Sequence, residues 1–316
     1  MKINVLTPAI GGPYSWGRDL AYTLKYNRFE SNHIADLKLR NIFMRKKYHD
    51  CDIIHTTTKH CIFAKKPVIL TIKGDYKYES KLFPNDRLYD IAKNRADIIT
   101  TVSHYLKNRL DLNDAVIIPN AVFPEKYKAV THADKKTIHI VTVSNFYFEQ
   151  KIRGVIDNIE LLQEACKSTD KNINYHVIGG GKYLNYAREK SKRIALPENM
   201  KLHLNGYSSN PIEYLENSDL FLYRSFHDNF PNAILEAMAA GLPIVSNDVG
   251  AIKEIIKSKE TGYVYEDDDE CLMRLSALID DEKLRANLGV NSQAVVNEQY
   301  NWWKIVENYI SLYKSL

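Results

Sequence analysis

The chain has 316 residues, 45% hydrophobic and 26% charged, which is ample apolar material for globular packing and more length than one core usually supports. Its 43 Lys and Arg against 39 Asp and Glu divide unevenly: residues 1–127 hold 21 basic and 13 acidic side chains, a net of +8, and residues 128–316 hold 22 and 26, a net of −4. Cys51, Cys61, Cys166 and Cys271 lack C-x-x-C spacing, and no signal peptide, long apolar run or internal repeat is visible; the composition speaks against a membrane span, a disulfide framework and a structural zinc, and a cytoplasmic location with reduced thiols is expected.

In chain order, MKINVLTPAI predicts an opening strand, after which Gly11-Gly12 leads through PYSWGRD into a helix over 20–26. The paired glycines suit a turn, and they lack the G-x-G-x-x-G spacing of a dinucleotide fingerprint. Segments 52–58 (DIIHTTT), 67–75 (PVILTIKGD), 96–103 (ADIITTVS) and 115–122 (AVIIPNAV) predict further strands closed by turn signals. His55 ends one of them and reads as a structural hydrogen-bonding residue. The polar run 123–136 then separates two strand-rich halves and predicts a domain boundary.

In the second half, IHIVTV (138–143), HVIGGG (176–181), LHLNGY (202–207), DLFLYRS (219–225) and PIVSND (243–248) are short apolar runs alternating with helical stretches, the pattern of a parallel sheet covered by helices. Ligands of such sheets bind at the carboxyl ends of the strands. The stretch SFHDNFPNAILEAMAAGLP (225–243) sets Asp228 and Glu236 around the start of a helix whose apolar spacing is given by Ile234, Leu235, Met238 and Ala239. Backbone amides of Phe230, Asn232 and Ala233 are expected to be free there to hold a phosphate. Ordinary capping is the alternative for both carboxylates. The closing NWWKIVENYISLYKSL predicts an amphipathic helix through Trp302, Ile305, Tyr309 and Tyr313.

This order of motifs resembles the retaining GT-B glycosyltransferases of family four, glycosyl transferases group 1, over most of the chain. Asp228 and Glu236 match the family's E-x7-E signature, with Asp at the first position, one methylene shorter. The resemblance implies that Glu236 holds the ribose of a nucleotide-sugar donor, that Asp228 meets the sugar hydroxyls, and that Asn229, Phe230, Asn232 and Ala233 lie around them. It implies that Lys151 pairs with the donor diphosphate, while Asn145 replaces the arginine of the family's Gly-Arg pair and Arg153, two residues past Lys151, is expected to compensate. Gly179, Gly206 and Tyr207 fall at donor-contacting turns, and Gly11 and Gly12 at the family's glycine-rich loop. NDVGAIKEII and TGYVY match the family's closing pattern, with packing and binding both open. Lys73 stands where the family ends a strand in Thr-Val-His; read as a cation that is always charged, it suits holding phosphate or a hydroxyl better than moving protons, with a solvent-facing lysine as the alternative.

The fold implied is α/β, GT-B, with two facing Rossmann-like domains, a central cleft and a C-terminal helix crossing back: 1–127 with 301–316 binding the acceptor, 128–300 binding the donor. The activity implied is transfer of a hexosyl unit from a nucleotide-diphosphate sugar to a hydroxyl acceptor with retention, using Asp228, Lys151 and Lys73 at the catalytic centre and no metal or other cofactor. LKLRNIFMRKK (37–47) sets five basic among five apolar residues, a composition suited to an anionic membrane surface, so a lipid-linked or glycan acceptor and peripheral membrane attachment are expected. A soluble basic face or a loop near an acidic sugar acceptor is the alternative there, and nucleic acid is not an expected partner. An epimerase-type GT-B enzyme and a catalytically idle nucleotide-sugar-binding protein are the competing functional classes.

Overall fold

The computed structural model describes residues 1–9, 11–35, 48–79, 86–131, 133 and 135–316. The basic and apolar run 37–47 lies outside the described residues. The chain divides into two compact units, Met1–Ala121 with Gln299–Leu316, and Val122–Glu298. The division falls a few residues before the 127/128 and 300/301 positions expected from sequence.

The first unit is built on six parallel strands, β1 Lys2–Leu6, β2 Glu30–Ile34, β3 Ile53–Thr56, β4 Val68–Ile72, β5 Ile98–Thr101 and β6 Val116–Ile117, in the order β2-β1-β3-β4-β5-β6. Every residue of β3 and β4 is buried, as expected where both faces of a parallel sheet are covered. At the edge, β2 is exposed at Glu30 and Asn32 and buried only at Ser31, and its sequence ESNHI carries a single aliphatic residue, so no apolar run announced it.

The first helix spans Gly12–Tyr26, eight residues longer at its start than the sequence predicts. Gly11 adopts φ 83 and its carbonyl accepts from Tyr14 and Ser15, while Pro13 sits in the first turn where a missing N–H costs nothing. Trp16, Leu20 and Leu24 form its buried face. A Cβ at Gly17 would lie 2.4 Å from Thr7 Cγ2, so glycine permits the helix to approach the end of β1. The last helix, Trp302–Lys314, belongs to this unit; Asn301 caps it by accepting from Trp303 N, and Trp302, Ile305, Tyr309 and Tyr313 are buried as the spacing predicts. Each such side chain stabilises the fold by about 1.5–3 kcal/mol when fully buried.

The second unit repeats the architecture with β7 Thr137–Val143, β8 Asn172–Ile178, β9 Met200–Gly206, β10 Leu220–Tyr223, β11 Ile244–Asn247 and β12 Gly262–Tyr265, all parallel, in the order β12-β11-β10-β7-β8-β9. The strand order reverses between β7 and β10. In an open α/β sheet that reversal leaves a crevice beyond the strand ends, the usual place for a ligand. The helix Glu149–Ala165 covers the sheet there with Ile152, Val155, Ile159 and Leu162 at helical spacing. Arg285, fully buried, donates to the carbonyls of Leu278, Ile279 and Ala133 and so satisfies the last turn of the helix Asp268–Asp280.

Candidate active site

At the reversal, the chain leaves β7 through Ser144–Phe148 and enters the helix Glu149–Ala165, which carries Lys151 as its third residue. Lys151 is 8% exposed, an unusual position for a lysine without partners. It has two: Nζ donates to Tyr223 Oη at 2.6 Å and forms an ion pair with Asp228. Gly154 explains the approach, since a Cβ there would lie 2.0 Å from the carbonyl oxygen of Arg224. Only glycine lets this helix lie against the backbone leaving β10.

Tyr223 ends β10, and its buried hydroxyl donates to Asp228 while accepting from Lys151. The second Asp228 oxygen, Oδ1, accepts from Asn229 N at 2.8 Å. Burial works against the Asp228 carboxylate, yet Lys151, Tyr223 and the Asn229 amide outweigh it and hold the group below the usual carboxylate range. Burial first, then the adjacent Asp228 charge, pushes Tyr223 well above the ordinary phenol value. Tyr223 was hidden from sequence reading because it closes an apolar strand and looks like core.

The loop carrying Asp228 is fixed from β11. Asn247 Oδ1 accepts from Ser225 N at 3.0 Å and its Nδ2 donates to Ser225 O at 2.8 Å. Gly250, at φ 64, brings the following loop against the same segment: a Cβ there would lie 2.2 Å from the Asp228 carbonyl oxygen, and Ala251 N donates to Asn229 O. Within the closing pattern NDVGAIKEII, then, Asn247 and Gly250 hold the Asp228 loop in place.

The helix after this loop is Asn232–Ala239, with Pro231 ahead of it and no side-chain cap. The first-turn amides of Asn232 and Ala233 have no acceptor within the helix. Phe230 precedes the helix by two residues, so its amide does not belong to that turn, contrary to expectation. Ordinary capping is likewise excluded: Asp228 lies four residues before the helix and bonds Lys151, and Glu236 is its fifth residue. Asn229 Oδ1 and Asn232 Oδ1, both beside this turn, are buried without hydrogen-bond partners among the described residues. Orphaned amide oxygens of this kind point to a polar group that completes the site.

Gly179 follows β8, where a Cβ would lie 1.7 Å from the Ser144 carbonyl oxygen; with Gly181 packed on Phe146, it lets the turn after β8 lie against the loop after β7. Gly206 adopts φ 76 and turns β9 into Tyr207, which is 81% exposed at the same strand ends. Asn145 is exposed, and its Oδ1 accepts from Tyr147 N. Arg153 corrects an expectation. Residues two apart on a helix face different directions, and Arg153 is exposed with its guanidinium over the Phe226 ring at 4.0 Å, so it does not stand beside Lys151 as a second cation.

In the first unit, Gly12 has open space where a Cβ would stand, with nothing within 4 Å, whereas Gly11 is required by its positive φ. His55 is fully buried, bonded to Tyr313 Oη at 2.5 Å and Thr71 Oγ1 at 2.6 Å; burial and the nearby Lys73 charge push it down to about 3. Lys73 lies just past β4, bonds Asn120 Oδ1 and sits 4.9 Å from the Trp16 ring centroid. It is not the permanently charged residue expected from its type, because burial pushes it down to about 7.

Among the described residues, no group of three or more His, Cys, Asp or Glu is gathered as metal ligands would be, and no helix is long and apolar enough to cross a membrane.

Residues 124–295, more than half of the chain and all of the site around Lys151 and Asp228, match the family described as glycosyl transferases group 1. N-acetyl-alpha-D-glucosaminyl L-malate synthase of Bacillus anthracis is 29% identical over 240 residues, covering 69% of this chain and 60% of that protein. N,N'-diacetylbacillosaminyl-diphospho-undecaprenol alpha-1,3-N-acetylgalactosaminyltransferase of Campylobacter jejuni is 27% identical over 185 residues, covering 57% of this chain and 45% of that protein. The chain therefore aligns with about half of the length of such curated relatives. Among solved structures, HepE of Anabaena in complex with UDP-glucose superposes with a TM-score of 0.79 at 14% identity, covering both chains completely. The two six-stranded parallel sheets and their helices are those of the GT-B fold.

Proposed function

Because the chain belongs to the glycosyl transferases group 1 family, we propose that it transfers a hexosyl unit from a nucleotide-diphosphate sugar to a hydroxyl acceptor with retention of anomeric configuration. The observation that carries this reading is the Lys151–Asp228 pair at the strand-order reversal, beside an uncapped helix start.

A diphosphate leaving group develops dense negative charge, and a buried ammonium beside free helix amides is suited to stabilise it without further reorganisation. On donor binding, Lys151 exchanges Asp228 for the diphosphate. The released carboxylate, still held by Tyr223, then accepts from the sugar hydroxyls. Glu236, one turn along the helix, takes the ribose hydroxyls. Asn229 and Asn232 supply acceptor oxygens for remaining donor groups. The acceptor hydroxyl attacks the face the diphosphate leaves, a departing phosphate oxygen takes its proton, and no protein nucleophile or metal takes part. The relatives named for L-malate and for diphospho-undecaprenol indicate that acceptors vary within the family, and the acceptor is assigned to the first unit.

The test is to incubate the purified protein with UDP-, GDP- and ADP-sugars and hydroxyl acceptors, following nucleoside diphosphate release and the product's anomeric signal by NMR. Release that depends on acceptor, with the donor's configuration kept, is expected. Conversion of donor without acceptor would indicate an epimerase, and binding without turnover an idle module; either result overturns the proposal.

A further inference from the structure

Lys73 is a part-buried cation without a countercharge. Its amine bonds the neutral Asn120 amide and lies over the Trp16 ring, while His55 of β3, hydrogen-bonded to Tyr313 of the last helix, lies close enough to feel its charge. Among the described residues no carboxylate comes within ion-pair distance of it. Asp75, two positions along, is turned to Arg109 at 3.0 Å and to the Tyr78 amide at 2.9 Å. Thr57 Oγ1, beyond the end of the neighbouring strand β3, is buried with no hydrogen-bond partner among the described residues. Leaving water without an opposite charge is costly for an ammonium, and the cost is visible in an amine pushed down to about 7. The half of the sequence that holds Lys73 carries a net +8, a charge that attracts anions.

Resting on the transferase reading above, we propose that Lys73 is the recognition residue for an anionic group, a carboxylate or phosphate, on the acceptor, so that the acceptor is an acidic hydroxyl compound. The bound anion supplies the missing countercharge and returns Lys73 to the fully protonated state. Binding therefore takes up a proton above neutrality. Anion and ammonium meet at the carboxyl end of β4, the end of a parallel sheet where ligands are held. The same chemistry could be offered by the donor's phosphates, and the experiment separates the two sources.

Sulfate is a suitable probe because its charge is constant across the range. The full chain is first saturated with a nucleoside diphosphate, UDP or, failing that, GDP or ADP, and then titrated with sulfate by calorimetry at pH 6 and pH 8. Wild-type affinity for sulfate is expected to fall about tenfold between these values, following loss of the protonated amine. Lys73→Gln should abolish this binding. Lys73→Arg should keep it and lose the pH dependence, which also guards against a folding defect in the glutamine variant. Sulfate binding that survives unchanged in Lys73→Gln overturns the proposal, and so does a Lys73-dependent site that vanishes once the nucleotide is bound, since the cation then serves the donor. Nucleotide binding, read before sulfate is added, tests the transferase reading separately.

Discussion

The Lys151 ammonium and the Asp228 carboxylate, 77 positions apart in sequence, are ion-paired, and the Tyr223 hydroxyl bonds both of them. In the proposed reaction this pair would couple the cation that meets the diphosphate to the carboxylate that meets the sugar.

Replacing Lys151 with Met should therefore cost more than a surface lysine. A hydrogen bond to a charged group contributes about 1.5–3 kcal/mol, or about ten- to hundredfold. If the ammonium acts on the leaving group, kcat falls by at least that factor in steady-state assays with a nucleotide sugar. A variant that raises only KM would show that Lys151 binds donor and transition state alike.

Tyr223→Phe keeps the ring and removes the hydroxyl from between the Lys151 and Asp228 charges. Stability is expected to fall by about 1–3 kcal/mol, read as a lower thermal midpoint. The Asp228 carboxylate, deprived of one donor, should titrate at higher pH, and side-chain carboxyl NMR of wild type and variant measures the change. An unaltered Asp228 titration would mean that Tyr223 does not support it.

The glycines differ in what they permit. Gly250→Ala places a methyl 2.2 Å from the Asp228 carbonyl at φ 64 and should both destabilise the protein and impair donor binding, whereas Gly12→Ala meets nothing within 4 Å and should leave thermal stability nearly unchanged. Parallel unfolding curves of the two variants check this contrast.

Much of the fold of the second unit was legible because its buried parallel strands are continuous apolar runs, IHIVTV and DLFLY among them, while Asp228, Lys151 and Glu236 stood out through the resemblance to a family's motifs. What escaped was set by tertiary contact. β2 is polar because it is an edge, the first helix begins at Gly12 because Gly11 and Pro13 shape its start, and Tyr223 reads as core until its hydroxyl is seen between two charges. For Arg153, nearness to Lys151 in sequence is not proximity in space, because helix geometry turns it outward. For Lys73 only the constancy of its charge differs from expectation, because residue type sets the starting pKa and burial lowers it.

His55 offers a pH test of the first unit. Its folded value, pushed down to about 3, lies below the ordinary histidine value, so the unfolded chain binds the extra proton first. Its contribution to stability is complete above about pH 6.5 and is lost as pH falls from there towards 3, with a slope approaching 1.4 kcal/mol per pH unit. Urea unfolding between pH 4 and 7 should show a shallower acid dependence in His55→Gln than in wild type. Equal slopes would mean that His55 is not kept neutral by its burial.

The most direct test of the donor site is a calorimetric titration of nucleoside diphosphates into wild type and Glu236→Ala. One saturable site per chain in the wild type, weakened about tenfold or more when the Glu236 carboxylate is removed, is the predicted result. Identical affinity in the two proteins would contradict the placement of the nucleotide at the helix Asn232–Ala239.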